Sequence, residues 1–191
     1  MIKINHVEKH YGKRSLWGPK PKPIIKDISL DCPVDEAIAI IGESGSGKST
    51  LSRMILGIER PDKGTVTLND QPMYKTKVRR HQIGAVFQDY TSSLHPFQTV
   101  RDILFEVMCQ CNKQSTDEME GAAKTLLEEV GLSEDFLDKY PNMLSGGEAQ
   151  RVAIARAICI NPTYILFDEA ISALDMSIQT QILDLLKRLK H

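Results

Sequence analysis

The residues best suited to chemistry form a glycine-bearing segment in the N-terminal half of the chain. It reads Gly42, Glu43, Ser44, Gly45, Ser46, Gly47, Lys48, Ser49, Thr50. Glycines at both ends let the backbone curl so that several N–H groups point inward, and a helix that starts there adds a favourable field for phosphate. Lys48 can neutralise the β and γ phosphates of a nucleotide, and the Ser49 hydroxyl can bind Mg²⁺. The segment therefore predicts a nucleoside triphosphate site.

A second group of polar residues follows the short apolar run 164–167. Asp168 and Glu169 would emerge at the carboxyl edge of a sheet, where open α/β folds bind their ligands. We expect Asp168 to hold Mg²⁺ through water and Glu169 to polarise the attacking water, unless the pair merely caps a helix. Gln88, at the end of another predicted strand, could contact both the metal and that water.

A third group, Ser145, Gly146 and Gly147, comes directly before a predicted helix. Exposed N–H groups and a hydroxyl at a helix start suit a γ-phosphate. The chain is thus predicted to have two phosphate-facing surfaces.

The elements that position these groups read as an α/β fold. Apolar periodicity predicts strands at 2–7, 24–30, 37–41, 65–68, 83–87 and 164–167, the run 37–41 being buried, and helices at 49–58, within 100–138, at 146–160 and at 178–189. The stretch 15–23 contains three prolines and is predicted to be an exposed loop.

Composition restricts the class of protein. The 191 residues are 41% hydrophobic and 26% charged with a formal net charge of -1, so the chain has no electrostatic preference for nucleic acid or an anionic bilayer. There is no signal-peptide core and no apolar stretch of the roughly 18 residues needed to cross a membrane, so we expect the cytosol. Cys32, Cys109, Cys111 and Cys159 lack paired spacing and are interpreted as reduced thiols.

Five ordered motifs, spread over nearly the whole chain, resemble those of the ATP-binding cassette (ABC) transporter ATPases. Residues 42–49 resemble the Walker A loop, 165–169 the Walker B strand, Gln88 the Q-loop, 144–148 the signature and 172–175 the D-loop. Tyr11 lies where the family places an aromatic residue that stacks on adenine, although an ordinary tyrosine at a strand end is the alternative.

The resemblance implies one ABC ATPase domain over residues 1–191. Its fold would be a P-loop NTPase core with a parallel sheet, an N-terminal antiparallel β part and a helical signature subdomain. We expect residues 1–98 to hold the β part and the Walker A part of the core, 99–160 the helical subdomain, and 161–191 the Walker B strand, the D-loop and a following helix.

The stretch 87–96 and the proline- and lysine-rich loop after Tyr11 resemble the oligopeptide, dipeptide and nickel importer branch. Within this branch the chain is most similar to the second ATPase of nickel import systems in Gram-positive bacteria. This resemblance implies a subunit that uses ATP and Mg²⁺ to drive uptake of nickel or a related metal chelate. A peptide importer ATPase of the same branch and a soluble ABC ATPase outside transport are the alternatives.

The family resemblance also implies partners. A second, different ATPase subunit would pair head to tail with this chain, so that Ser145 and Gly147 of one subunit close on ATP held by Lys48 and Ser49 of the other. Two transmembrane permease subunits and an extracellular substrate-binding protein would complete the importer. The chain would lie at the cytoplasmic face of the cell membrane, attached through the permeases, with no nucleic-acid partner.

Two features depart from the family pattern. Glu148 stands where the family most often has Gln, and we expect little loss from this change. The chain ends at His191, 23 residues after Asp168 (191 − 168), before the strand and the histidine that contact the γ-phosphate in the family. We therefore expect a C-terminally truncated domain, with a fragment that binds ATP but hydrolyses it poorly as the alternative.

Overall fold

The computed structural model describes residues 1–12, 22–87, 93–111 and 115–168, together with residues 180, 184, 185 and 187. The chain divides into two compact units, Met1–Ile83 and Gly84–His191. Both helices and strands are present, which confirms the predicted α/β class.

The first unit is built on a four-stranded antiparallel sheet. Its strands are β1 (Ile2–His10), β2 (Pro23–Cys32), β3 (Lys63–Leu68) and β4 (Gln71–Pro72), in the order β2-β1-β3-β4. Strand β1 lies between β2 and β3, and its residue Ile4 is opposite Leu30 of β2 on one side and Val66 of β3 on the other. The buried residues Ile2 and Ile4 alternate with more exposed neighbours, as a half-buried strand requires. The predicted N-terminal antiparallel part is confirmed.

Among its described residues the first unit forms the helices α1 (Lys48–Ile55) and α2 (Thr76–Arg79). Leu51, Met54 and Ile55 are buried along α1, and their i, i+3, i+4 spacing is the pattern that predicted this helix. No residue of α2 is buried, and its last turn carries the basic residues Lys77 and Arg79.

The second unit contains a two-stranded sheet and a helical part. The strands are β5 (Ile83–Val86) and β6 (Tyr164–Phe167); the helices are α3 (Val100–Cys111), α4 (Thr116–Glu129) and α5 (Gly146–Ile158), with 3-10 helices at Glu134–Asp138 and Pro141–Met143. Residues from all three α-helices form one apolar core, with Leu104, Leu127 and Ile154 fully buried. The helices predicted within 100–138 and at 146–160 are therefore present, and the side chains of β6 are half-buried.

One predicted strand is not observed. Residues 37–41 form no strand, and Ile41 is 92% exposed. A strand depends on a partner that supplies a hydrogen-bonded ladder, and β-branched composition alone does not provide one. In the two sheets that the described residues form, nothing pairs with this segment.

Several sequence expectations fall outside the described residues: most of the loop 15–23, the D-loop 172–175 and most of the helix expected at 178–189. In the part of the chain that the structure describes, no helix combines the length and the apolar character needed to cross a membrane.

The core of the helical part provides a test of the fold. Replacing Leu127, which is 0% exposed, with Ala should lower the free energy of unfolding by about 2–5 kcal/mol, because the lost methyl groups leave a cavity. The control is Leu126→Ala, the same change one position earlier on α4 at a half-buried site, with an expected loss of about 1 kcal/mol. Urea unfolding measures both values, and equal losses would contradict the packing described here.

Candidate functional site

The glycine-bearing segment forms a curled loop that leads directly into α1. Gly47 caps the helix with a φ of 100°, and Gly45 has a φ of 78°, a region that other residues enter only with strain. A Cβ added to Gly47 would lie 3.0 Å from the Ile24 carbonyl oxygen of β2, so the loop also passes close to the sheet. The loop closes with a hydrogen bond of 3.2 Å from the Ser46 N–H to the Glu43 carbonyl. This conformation directs the chain so that α1 begins at Lys48.

Lys48 lies against the beginning of its own loop. Its Nζ donates to the carbonyl oxygens of Gly42 and Glu43, each at 2.9 Å. The ammonium group is therefore held among the loop residues that the sequence predicts to bind phosphate. An ammonium group and the N-terminus of a helix both attract anions, so this part of the first unit suits a polyphosphate.

The next two residues occupy the first turn of α1. Ser49 is half-buried, and Thr50 is buried with its Oγ1 accepting a hydrogen bond of 3.4 Å from Arg53. Tyr11, directly after β1, is also linked to this helix, because its hydroxyl accepts a hydrogen bond of 3.2 Å from Arg53. The structure thus connects Tyr11 with the helix that carries Lys48, all within the first unit.

The second phosphate-facing surface predicted from sequence is the beginning of α5. Ser145 is its N-cap: the Ser145 Oγ accepts from the Glu148 N–H at 3.4 Å, and the Ser145 N–H donates to Glu148 Oε2 at 2.7 Å. A hydroxyl that accepts in this way still has its own proton to donate. Ser145 and Gly146 are exposed, whereas Gly147 is buried.

The capping arrangement gives the Glu148 side chain a structural role at the start of α5. Hydrogen bonds from the backbone N–H and hydroxyl of Ser145 lower the pKa of Glu148 below its ordinary value of 4.5. The carboxylate therefore has a structural partner in Ser145 and is ionised at neutral pH. The equivalent box at α4 pairs Ser115 with Glu118.

Asp168 follows β6 at the end of the strand. Its N–H donates to the Val86 carbonyl at 2.9 Å, which extends the pairing of β5 with β6 by one residue. Asp168 therefore lies at the end of β6, and its role toward the metal stays a prediction. Gln88 and Glu169, which the sequence assigns to catalysis, lie outside the described residues, as does the D-loop.

Sequence reasoning missed two long-range contacts near these sites. Tyr11 donates to Glu59, 48 positions away, and the half-buried Arg156 of α5 donates to the Ser93 carbonyl, 63 positions away. Burial lowers the pKa of Arg156 from its usual range. No local pattern predicts such pairs, because each depends on two segments meeting in the fold.

The Glu148 carboxylate gives a pH-dependent prediction. Because its pKa is lowered in the folded state, its stabilising contribution is fully present above the ordinary pKa and is lost as the pH falls through the lowered value. The variant Glu148→Gln should therefore lose less stability than the parent chain between about pH 7 and about pH 3. Urea unfolding at both pH values measures the difference, and parallel losses would show that the carboxylate is not selectively stabilised.

Comparisons with known proteins agree with this arrangement. The ABC transporter family profile matches residues 25–172. The chain is 76% identical over 191 residues to the metal-staphylopine import system ATP-binding protein CntF of Staphylococcus aureus, with 100% of this chain and 77% of that protein covered. It is 36% identical over 197 residues to the nickel import ATP-binding protein NikE of Escherichia coli, with 100% of this chain and 74% of that protein covered.

Among solved structures, the chain is similar to the dimeric ATP-binding cassette MJ0796 in a post-hydrolysis state with ADP and Pi. The TM-score is 0.88 at 34% identity, covering 100% of this chain and 83% of that chain. A second dimeric structure of MJ0796, described as a bacterial ABC transporter cassette, gives 0.86 at 35% identity, covering 100% and 83%. The curled loop, the capped helix, the family profile and these similarities together show that the chain belongs to the ABC transporter family and carries its ATP-binding domain.

Proposed function

We propose that this chain is the ATP-binding and ATP-hydrolysing subunit of an importer that takes up a metal bound to a small organic chelator. The observation that carries the proposal is the 76% identity, over the whole chain, to a protein named for metal-staphylopine import. The 36% identity to a protein named for nickel import supports the same class of transporter with nickel as the substrate.

The chain's own residues account for phosphate binding. Backbone N–H groups of the loop and the first turn of α1 supply donors, and Lys48 supplies a positive charge that the structure already holds against Gly42 and Glu43. An ammonium group binds anionic phosphate oxygens more strongly than neutral carbonyls. ATP would therefore displace the carbonyls from Lys48.

Three residues of the chain carry side chains that could bind the Mg²⁺ ion of an ATP complex. Ser49, Gln88 and Asp168 supply a hydroxyl, an amide and a carboxylate, and Mg²⁺ prefers oxygen ligands of this kind. When bound, the ion neutralises charge on the phosphates. We propose that Glu169 orients and polarises the attacking water, a role that follows from its position after the Walker B strand in the sequence.

The proposed assembly needs a second ATP-binding subunit. Ser145 and Gly146 are exposed at the capped start of α5, where the Ser145 hydroxyl would turn its proton from Glu148 to the γ-phosphate held by the partner. Solved cassettes of similar sequence are dimers. Two permease subunits and an extracellular binding protein would complete the importer, with this chain at the cytoplasmic face of the membrane.

Metal uptake tests the proposal directly. In cells that lack their own copy of this subunit, the chain should restore uptake of a metal–staphylopine complex, measured as cell-associated metal. Lys48→Ala should abolish uptake, because losing hydrogen bonds to a charged group weakens ATP binding by roughly 10- to 100-fold. Lys77→Ala, the same change at an exposed position of α2, is the control. Restored uptake of free nickel or of a peptide alone would favour those substrates instead.

The role of Ser145 has a matched control elsewhere in the chain. Ser145→Ala and Ser115→Ala each remove the serine of a capping box, so each should lower stability by about 1 kcal/mol. Only Ser145→Ala should slow ATP turnover of the assembled dimer, by about 100-fold, because one donor to the reacting phosphate is lost. Equal turnover in the two variants would contradict the proposed contact with the partner's ATP.

A further inference from the structure

Tyr11 is in contact with a cluster of charged residues, Glu59, Arg53 and Lys9, that has no evident part in phosphate binding. The Tyr11 hydroxyl donates to Glu59 Oε2 at 2.5 Å and accepts from Arg53 at 3.2 Å. The residue nevertheless remains 42% exposed. The tip of the side chain is therefore fixed while a large part of the residue stays accessible to a ligand.

The acceptor in this cluster is itself held in place. Lys9 Nζ lies 3.1 Å from Glu59 Oε1, and Arg53 Nε lies 3.4 Å from Glu59 Oε2. Burial alone would raise the pKa of Glu59, but hydrogen bonds from Tyr11 and Lys9, with the charge of Lys9, bring it below its ordinary value. The carboxylate is thus ionised at neutral pH and is a strong acceptor for the tyrosine hydroxyl.

The backbone next to Tyr11 is held by the segment between α1 and β3, which also carries Glu59. The His10 N–H donates to Asp62 Oδ2 at 2.7 Å, and the Asp62 N–H donates to the Glu8 carbonyl at 2.9 Å. Glu59 and Asp62 both lie between α1 and β3, so this segment restrains the end of β1 at the main chain and at the Tyr11 hydroxyl.

Arg53 extends the restraint to the phosphate loop. It belongs to α1, which begins at Lys48, and its guanidinium also donates to Thr50 Oγ1 at 3.4 Å in the first turn. One side chain therefore links the aromatic ring with the helix that follows the loop. A ligand with both a triphosphate and a planar base could contact the two features together.

We propose that Glu59 and Arg53 are positioning residues, which hold the Tyr11 ring as a prearranged stacking surface for the adenine of ATP. This inference rests on the proposed function, because it requires ATP to bind the neighbouring loop. A ring that is already fixed loses less side-chain freedom when a base stacks on it, so the restraint increases affinity. The effect is confined to the base and leaves the phosphate contacts unchanged.

Comparing two ligands isolates this effect. The purified chain is titrated with ATP and with inorganic triphosphate, both in the presence of Mg²⁺. Tyr11→Phe keeps the ring and the ion pairs of Glu59 but removes the hydroxyl, and it should weaken ATP binding roughly two- to tenfold with triphosphate binding unchanged. Glu59→Ala should have the same selective effect, and the double variant should lose little more, because both changes remove one interaction.

Two further variants control for structural damage. Glu59→Gln keeps an acceptor for the hydroxyl and should restore most of the ATP affinity. Glu8→Ala removes a carboxylate paired with Lys63 at 2.9 Å on the same sheet, without any contact with Tyr11, and should leave both ligands unaffected.

Three results would overturn the inference. ATP affinity unchanged in both Tyr11→Phe and Glu59→Ala would show that the cluster does not position the ring. Equal weakening of ATP and triphosphate would show that Glu59 supports the loop rather than the base contact. Failure of the parent chain to bind either ligand would instead overturn the proposed function, and this inference with it.

Discussion

The binding loop depends on an ammonium group that backbone carbonyls hold in place. Lys48 can reach Gly42 and Glu43 only because the chain between them reverses through glycines in left-handed conformations. The loop and its lysine therefore form one unit: the curl places the carbonyls, and the carbonyls hold the charge. Leu51, Met54 and Ile55 are buried in the first unit and hold α1, and with it the helix start, beside the loop.

The two serine-capped helices show how one local device can have different uses. Both α4 and α5 begin with a serine whose hydroxyl and backbone are paired with a glutamate three positions later. At α5 the capping serine is followed at once by Gly146 and Gly147, so the first two positions of that helix carry no side chain. The same cap thus stabilises an ordinary helix in one case and an accessible donor group in the other. Local stability and ligand access are compatible because the glutamate pairs with Ser145 inside the cap, while the glycines leave the helix start uncovered.

Local patterns predicted most of the elements and the centre of the site. The spacing of Leu51, Met54 and Ile55 is sufficient for α1, and the glycines of the loop predict its curl without any tertiary information. The strand expected at 37–41 was wrong because strand formation depends on a partner that its own composition does not specify. The cluster at Tyr11 could not be predicted for the same reason, since its charged residues come from separate parts of the chain. The roles of Gln88 and Glu169 stay predictions from sequence.

The part-buried hydrogen bond from Arg156 to Ser93 restrains the C-terminal part of α5. Arg156 is 11 positions after Ser145 (156 − 145), so the helix spans about 16 Å between them at 1.5 Å per residue. A desolvated guanidinium is costly to release from its acceptor, and an α-helix resists bending over this length. The chain just ahead of α3 is therefore tied to the C-terminal part of α5, so a displacement of the capped end would also have to be accommodated at the Arg156 contact.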